Sequence, residues 1–342
     1  MQITLKPGNQ TFDAQAQESI LDAALREGYR LPYGCRNGAC GSCKGKVVSG
    51  EVDHGKLGQS TLSKTERAQG YALLCQAEAR SDLVIECRDV TTAADFPVKI
   101  LPSRVQHMAL VAPDVMQIQL RLPANERLQF RAGQYIDILL KDGSRRSLSL
   151  AHAPHDDALL ELHLRNYGGT FSNYVFNSLK IKDILRFEGP LGGFYLRTQD
   201  TLNEALSDTR PVILVAGGTG FAPIKSIIQD ALHRQLPRTF ILYRGARARA
   251  DLYLDDLPQS WAREHGIDYI PVLSEPLASD QWSGRTGLVH SAVMADHSDL
   301  SGHVVYACGA PAMVAAAQRD FSQHCGLPES AFFADAFTPA NP

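Results

Sequence analysis

From Tyr33 to Gly50 the chain reads YGCRNGACGSCKGKVVSG, with Cys35, Cys40 and Cys43 set among five glycines. What this loop holds decides what the first part of the chain folds around. Thiols this close together suit a disulfide knot, a zinc site or an iron–sulfur cluster. The N-terminus, MQITLKPGNQ, reads as a strand and lacks the charged flank and apolar core of a secretory signal. The expected compartment is therefore the cytoplasm, where thiols stay reduced. Seven cysteines are an odd number, which leaves one over in any full disulfide framework. Zinc sites usually draw on two C-x2-4-C pairs, or on one pair with histidines. Here the fourth candidate, Cys75, follows Cys43 after 31 residues and has no neighbour at knuckle spacing.

The whole chain sets bounds on this choice. Its 342 residues suit two or three domains. Hydrophobic residues at 44% and charged residues at 21% describe a globular protein. The net charge is -3 and no basic run appears, so no nucleic-acid partner is expected. No apolar run approaches the ~20 residues that span a bilayer, so no membrane partner is expected either.

Three segments follow from the patterning, expected as domains over 1–92, 98–202 and 208–342. In the first, MQITLKPG and QTFDAQ read as strands around a turn. Ser19 then caps a helix, SILDAALREGYR, with Ile20, Ala23, Ala24 and Leu25 on one face. GKVVSGEVDH and DLVIECRDV are further strands, and Cys87 in the second is an inert core thiol. TTAADFP, Thr91 to Pro97, reads as a linker. The second segment holds five or six short strands with turns between them and one short helix, FSNYVFNSLK, which suits a small antiparallel barrel. In the third, PVILVAGG, RTFILYRG, IDYIPVL and HVVYACG each lead into a helical stretch, which predicts a parallel α/β sheet.

The spacing Cys35-x4-Cys40-x2-Cys43 with a distant Cys75 resembles that of plant-type [2Fe–2S] ferredoxins. Residues 1 to about 90 carry the resemblance, which implies an α+β, β-grasp-like domain with these four cysteines as cluster ligands. The residue chemistry agrees. Two irons need two thiolates each, and Gly34, Gly38 and Gly41 let backbone N–H groups approach the sulfurs. Photosynthetic ferredoxins are strongly acidic, whereas residues 1–95 carry 11 Lys and Arg against 12 Asp and Glu. That balance favours a ferredoxin fused to its own electron donor.

RRSLSLA, Arg145 to Ala151, lies on a predicted barrel strand. Gly168, Gly169, Thr170 and Ser172 open the short helix, where free N–H groups suit a phosphate, and Arg146 could neutralise a pyrophosphate held there. GPLGGFYL adds a glycine-rich turn at Gly189 to Gly193. Further on, Gly217, Gly218, Thr219 and Gly220 sit where a parallel strand turns into a helix, and Cys308 with Gly309 ends another strand. Ligands bind outside such strand ends.

In order, these motifs resemble the ferredoxin–NADP reductase superfamily over about residues 98–342. The resemblance implies that R-x-[YF]-S, at Arg146, Leu148 and Ser149, binds flavin, and that Gly169 and Ser172 hold the FAD pyrophosphate. It assigns GGTGFAP, Gly217 to Pro223, to the nicotinamide-nucleotide pyrophosphate. C-G-x-P-x-M, with Cys308, Gly309, Pro311 and Met313, would lie beside the nicotinamide. Ser149 and Cys308 are the expected catalytic residues, near flavin N5 and the nicotinamide. One position departs: Leu148 stands where the motif has an aromatic, which forfeits roughly 1 kcal/mol of ring stacking. The domain order looks like that of one-chain reductases of aromatic-ring oxygenases, and also of the reductase of a deoxysugar dehydrase.

The implied function is electron transfer: NAD(P)H to FAD, FAD to the cluster, and the cluster to a separate acceptor protein, either an oxygenase component or a deoxysugar dehydrase. The loop from Cys35 to Ser42 is expected on the docking face. A redox sensor that holds its cofactors without turnover is the alternative. For the coenzyme, Arg244, Arg247 and Arg249 in YRGARARADLYL favour a 2′-phosphate by charge alone, although Asp251 follows closely and could pair with one of them. The oxygenase reductases that the chain resembles carry Gly245, Arg247 and Asp251 to Tyr253 in the same pattern, which implies NADH as the preferred donor with NADPH usable. A monomer is expected.

Overall fold

The computed structural model describes residues 1–55, 62–87, 90–92, 96–198 and 208–338. Residues 93–95 of the expected linker, and the expected end of the second domain at 202, lie outside the described residues. Two compact units emerge: Met1–Pro97 with Gly192–Phe194 and Ala334–Ala336, and the remainder.

In the first unit a mixed sheet runs in the order Thr11–Asp13, Gln2–Lys6, Leu83–Glu86, Lys44–Ser49, Tyr71–Leu73. Only the pair Gln2–Lys6 with Leu83–Glu86 is parallel; the other neighbours are antiparallel. Alternation sets the faces, with Ile3, Leu5, Leu83 and Ile85 buried. Helix Ile20–Arg26 starts as its sequence predicts, with Ser19 accepting the Asp22 N–H. It ends earlier than expected, because Gly28 turns the chain at φ +83° and Tyr29–Arg30 form a strand. Its buried face uses Leu21 where the sequence suggested Leu25. The helix's first N–H groups, at Ile20 and Leu21, donate to the carbonyls of Ala77 and Leu74. Those bonds fix the segment that carries Cys75.

The second unit contains two sheets. Six antiparallel strands run in the order Arg145–Ser149, Tyr135–Leu139, Ile184–Leu191, Lys99–Ala112, Val115–Arg121, Leu160–Arg165. A bridge between Leu150 and Leu162 joins the two edges, which makes the sheet a barrel. Val105, Ile118, Ile136, Ile138, Leu162 and Phe187 fill it, and helix Thr170–Asn177 adds Phe171 and Val175. In the other, six-stranded sheet, five parallel strands run in the order Arg285–Thr286, Asp268–Leu273, Phe240–Ala246, Val212–Gly217, Val304–Gly309. The order reverses between Val212–Gly217 and Val304–Gly309, so the loops after these two strands flank the topological switch point. The sequence suggested separate flavin and nicotinamide domains. Both are present, one built on the barrel and one on the parallel sheet; the two lie in one compact unit, and helix Phe221–His233 is buried from Phe221 to Ile228.

Candidate functional site

The cysteine loop folds back on itself through its own thiols. The Cys35 N–H points at Cys40 Sγ (3.5 Å) and the Cys40 N–H at Cys35 Sγ (3.3 Å). Cys43 and Cys75 bring their sulfurs to 3.1 Å. Gly38 and Gly41 take φ values of +84° and +72°, which L side chains rarely adopt. A Cβ on Gly34 would stand 3.3 Å from Cys40 Sγ. Among the described residues no three His, Cys, Asp or Glu side chains gather to hold one ion. The four thiols instead lie as two pairs, the donor set for two irons with two thiolates each. The Cys35 thiol bonds to Cys40 and draws it down to about 6 against burial; Cys43 does the same for Cys75, which is lowered. All seven cysteines are unbridged, and Cys87 is buried.

Two distant segments complete this unit. Ser42 Oγ donates to the Ala334 carbonyl at 2.6 Å, and the Gly193 N–H to the Tyr33 carbonyl at 2.6 Å. The end of the glycine-rich GPLGG turn thus packs on the Tyr33 backbone at Gly193. Buried Asp335 stands beside Gly34, and burial, then Cys40, push its carboxyl up to about 7. No sequence signal marked it, because it lies almost 300 residues from the loop.

On the barrel, register pairs Ser149 with Tyr135, Leu148 with Ile136 and Arg146 with Ile138. Arg145 is committed to Glu188. Arg146 is half-buried, bonds only to the Arg145 carbonyl at 2.8 Å and has no ion pair among the described residues. Ser149 is buried, and Leu148 packs in the barrel's apolar core. Helix Thr170–Asn177 begins at Gly169 with no side chain capping it, and Gly168 precedes it at φ +77°. Ser172 turns its hydroxyl back to the Gly169 carbonyl (2.9 Å), so the backbone N–H groups are the anion donors there. A guanidinium and an uncapped helix start suit the two phosphates of FAD.

At the switch point the glycines have an unexpected duty. A Cβ on Gly220 would lie 2.2 Å from the Cys308 carbonyl oxygen, and one on Gly217 would lie 2.6 Å from Met313 Sδ. Gly309, at φ +151°, packs on the Gly217 backbone. The GGTG loop, with Thr219 buried, and the loop from Cys308 to Pro311 thus touch through their backbones. Cys308 is fully buried at the end of its strand, Pro311 opens helix Pro311–His324, and Pro223 is buried in the preceding helix. Gly218 takes φ +54°, and a Cβ there would stand 3.1 Å from Arg165 Nη1. Arg165, which the sequence did not single out, brings a cation from the barrel to the glycine loop. Its Nη2 lies 3.5 Å from Asp251. This set of an arginine, a positive-φ glycine and a helix start suits a dinucleotide pyrophosphate.

The coenzyme arginines divide. Arg244 is not on the loop: strand Phe240–Ala246 runs past it, and it is 1% exposed. Its guanidinium lies over the rings of Phe221 (3.9 Å) and Tyr253 (4.8 Å) and donates to the Tyr253 carbonyl. It cannot meet a 2′-phosphate from there. Arg247 is exposed and ion-paired with Asp251 at 3.6 Å. Arg249 donates to Asp280.

Comparison with known proteins assigns a family to each of the three segments. Residues 3–80 match the 2Fe-2S iron-sulfur cluster binding domain, 102–195 the oxidoreductase FAD-binding domain and 214–319 the oxidoreductase NAD-binding domain. The chain is 39% identical over 342 residues to the CDP-6-deoxy-L-threo-D-glycero-4-hexulose-3-dehydrase reductase of Yersinia pseudotuberculosis, covering 99% of each chain. It is 36% identical to terephthalate 1,2-dioxygenase, reductase component 1, of Comamonas, covering 98% of this chain and 97% of that one. Among solved structures, the Amycolatopsis cytochrome P450 reductase GcoB superposes with a TM-score of 0.78 at 35% identity, covering 99% of each.

Proposed function

We infer the role of the chain from one premise: it belongs to the family of single-chain reductases that join a [2Fe–2S] ferredoxin domain to FAD-binding and NAD-binding oxidoreductase domains. It is an NAD(P)H-dependent flavin and iron–sulfur oxidoreductase that works as an electron-transfer component. When bound, the flavin takes a hydride from the nicotinamide and releases the electrons singly to the cluster. Cys35, Cys40, Cys43 and Cys75 hold the cluster. Arg146 and the start of helix Thr170–Asn177 hold the FAD pyrophosphate, with Ser149 at the ring. The loops at Gly217–Gly220 and Cys308–Met313 would seat the nicotinamide nucleotide, with Cys308 near the nicotinamide.

The terminal acceptor is a deoxysugar dehydrase, and the full-length likeness to the Yersinia dehydrase reductase carries this reading. An oxygenase component is the second reading, favoured by the Comamonas relative. NADH is the preferred donor, since Arg244 is buried and Arg247 is already paired. The proposed state in solution is a monomer. No described helix is long and apolar enough to cross a membrane.

Paired assays test both assignments, the dehydrase arm run anaerobically and the oxygenase arm supplied with dioxygen and its aromatic substrate. The purified reductase, NADH and a CDP-deoxyhexulose 3-dehydrase should yield reduced sugar product, whereas a terephthalate-type oxygenase should turn over at least tenfold more slowly. The reverse ranking would reject the dehydrase. A kcat/KM for NADPH more than tenfold above that for NADH, collapsing in Arg247→Ala, would reject the coenzyme assignment. Sedimentation at the mass of two chains would reject the monomer.

A further inference from the structure

The helix that leaves the glycine loop buries a lysine. Lys225 is 6% exposed, and its Nζ donates to the Ala151 carbonyl at 2.7 Å and to Glu161 Oε1 at 3.0 Å. The next residue, Ser226, donates its hydroxyl to the His152 carbonyl at 2.5 Å. Ala151 and His152 follow Ser149 by two and three residues. One turn of the helix thus grips the backbone that leaves the flavin strand. Glu161 also accepts from His163 Nε2 at 2.8 Å. With that proton on Nε2, His163 Nδ1 is left to accept from the Tyr253 hydroxyl at 3.1 Å. Tyr253 rests against Phe221 at the helix start, with a centroid separation of 5.9 Å.

A buried ammonium–carboxylate pair is a poor source of stability. Removing two ions from water costs about as much as their attraction returns, and apolar residues of similar volume often pack as well. What such a pair does supply is registry: its bonds have one length and one direction, and a half-made pair is strongly disfavoured. Hydride transfer makes use of registry, because the reacting atoms must approach within about 3–3.5 Å in the right orientation.

We propose that Lys225 is a positioning residue for hydride transfer: through Ala151 and Glu161, and with Ser226, it sets the register of the nicotinamide-loop helix against the flavin strand. The inference rests on the flavin and nicotinamide assignments above. Lys225 touches neither ring. It acts on where the two nucleotide-binding segments stand, much as a misplacement of 1 Å far from the chemistry can cost roughly a hundredfold in rate.

The test compares the holoenzyme with Lys225→Met and with Glu161→Gln/Lys225→Met, in which no carboxylate is stranded. FAD content, melting temperature, the limiting rate of flavin reduction on rapid mixing with NADH, the Kd for NADH and the charge-transfer absorbance are measured. The double variant should fold, keep one FAD and bind NADH within about threefold of wild type. Its limiting rate should fall at least tenfold and its charge-transfer band should weaken. A folded, flavin-replete double variant with wild-type rate and band would overturn the proposal. So would a rate loss in both variants that merely tracks lost FAD. If NADH does not reduce the wild-type flavin, the functional assignment itself fails, and that outcome is distinct from a wild type that is reduced and a variant that is unaffected.

Discussion

Cys75 and Cys87 are both buried thiols near strands of one sheet, and only the surroundings of the sulfur distinguish them. Cys75 Sγ meets Cys43 Sγ, and its segment is tied to helix Ile20–Arg26. Cys87 follows strand Leu83–Glu86 outside the cysteine loop. Cys75→Ser should therefore purify with little iron and without the visible absorbance of a cluster. Cys87→Ser should keep about two irons and two sulfides per chain, the content of a [2Fe–2S] cluster. Equal loss from both would reject the ligand assignment. Gly220 gives a second contrast. A Cβ there would overlap a backbone oxygen, which cannot swing away, so Gly220→Ala should cost about 1–3 kcal/mol. Gly302→Ala meets nothing within 4 Å and should stay within about 0.5 kcal/mol of wild type. Denaturant midpoints of the two variants measure both. The glycines of the GGTG loop were legible as a motif, but their packing against the Cys308 loop was not, because nearly ninety residues separate the partners. Arg244 misled for a related reason. It was read both at the end of strand RTFILYRG and with the loop after it, and only the tertiary partners Phe221 and Tyr253 show that its guanidinium is buried.

At the level of elements, the proposed flavin grip combines a strand arginine with a helix start. The helix contributes partial charges only, about half a unit, so the full charge of Arg146 should dominate pyrophosphate binding. Arg146→Ala removes a charge-assisted contact worth about 1.5–3 kcal/mol. It should purify flavin-poor and recover FAD only when the cofactor is added in excess, as fluorescence titration would show. Unchanged affinity would place the pyrophosphate elsewhere. The segment after that strand also carries a pH dependence. Burial depresses the His152 imidazole from 6.5 to about 4. Its Nε2 has no hydrogen-bond partner among the described residues, and its Nδ1 accepts the Glu161 N–H at 3.2 Å. Between these values the unfolded chain takes up a proton that the fold refuses. Stability is therefore complete above about pH 6.5 and falls by roughly 3 kcal/mol towards pH 4. His152→Asn can accept the same bond without titrating, so calorimetry should show a shallower acid limb. His163, His290 and His303, also lowered, first by burial, keep part of it. An identical limb in the variant would remove His152 from the account.

Across the whole molecule, element types and their order were readable because each segment keeps one period of hydrophobicity. Alternation marked the barrel, and apolar runs leading into helices marked the parallel sheet. The polar contacts between barrel and parallel sheet were not readable, since they are made by Lys225, Ser226, Glu161 and His163, polar residues that look solvent-facing until their partners are known.

Charge is the property that sequence reports best at this scale, and it bears on how electrons leave. Net charge is -3, and residues 1–95 nearly balance at 11 basic against 12 acidic side chains. Near the cluster loop even these are paired locally, Arg36 with Asp22 at 2.5 Å and Lys44 with Glu66 at 2.6 Å. Steered association needs a potential of one sign over a docking face, and its rate falls steeply once salt shortens the Debye length from about 10 Å towards 3 Å. Paired charges project little field beyond that range. Encounter with the acceptor should therefore rely on short-range fit around the Cys35 to Ser42 loop. The kcat/KM for the dehydrase acceptor should change by less than about threefold between low and high salt. Cytochrome c, a strongly basic surrogate acceptor, gives the comparison in the same assay. A fall of tenfold or more with the dehydrase itself would show that a charged surface outside these pairs guides the encounter.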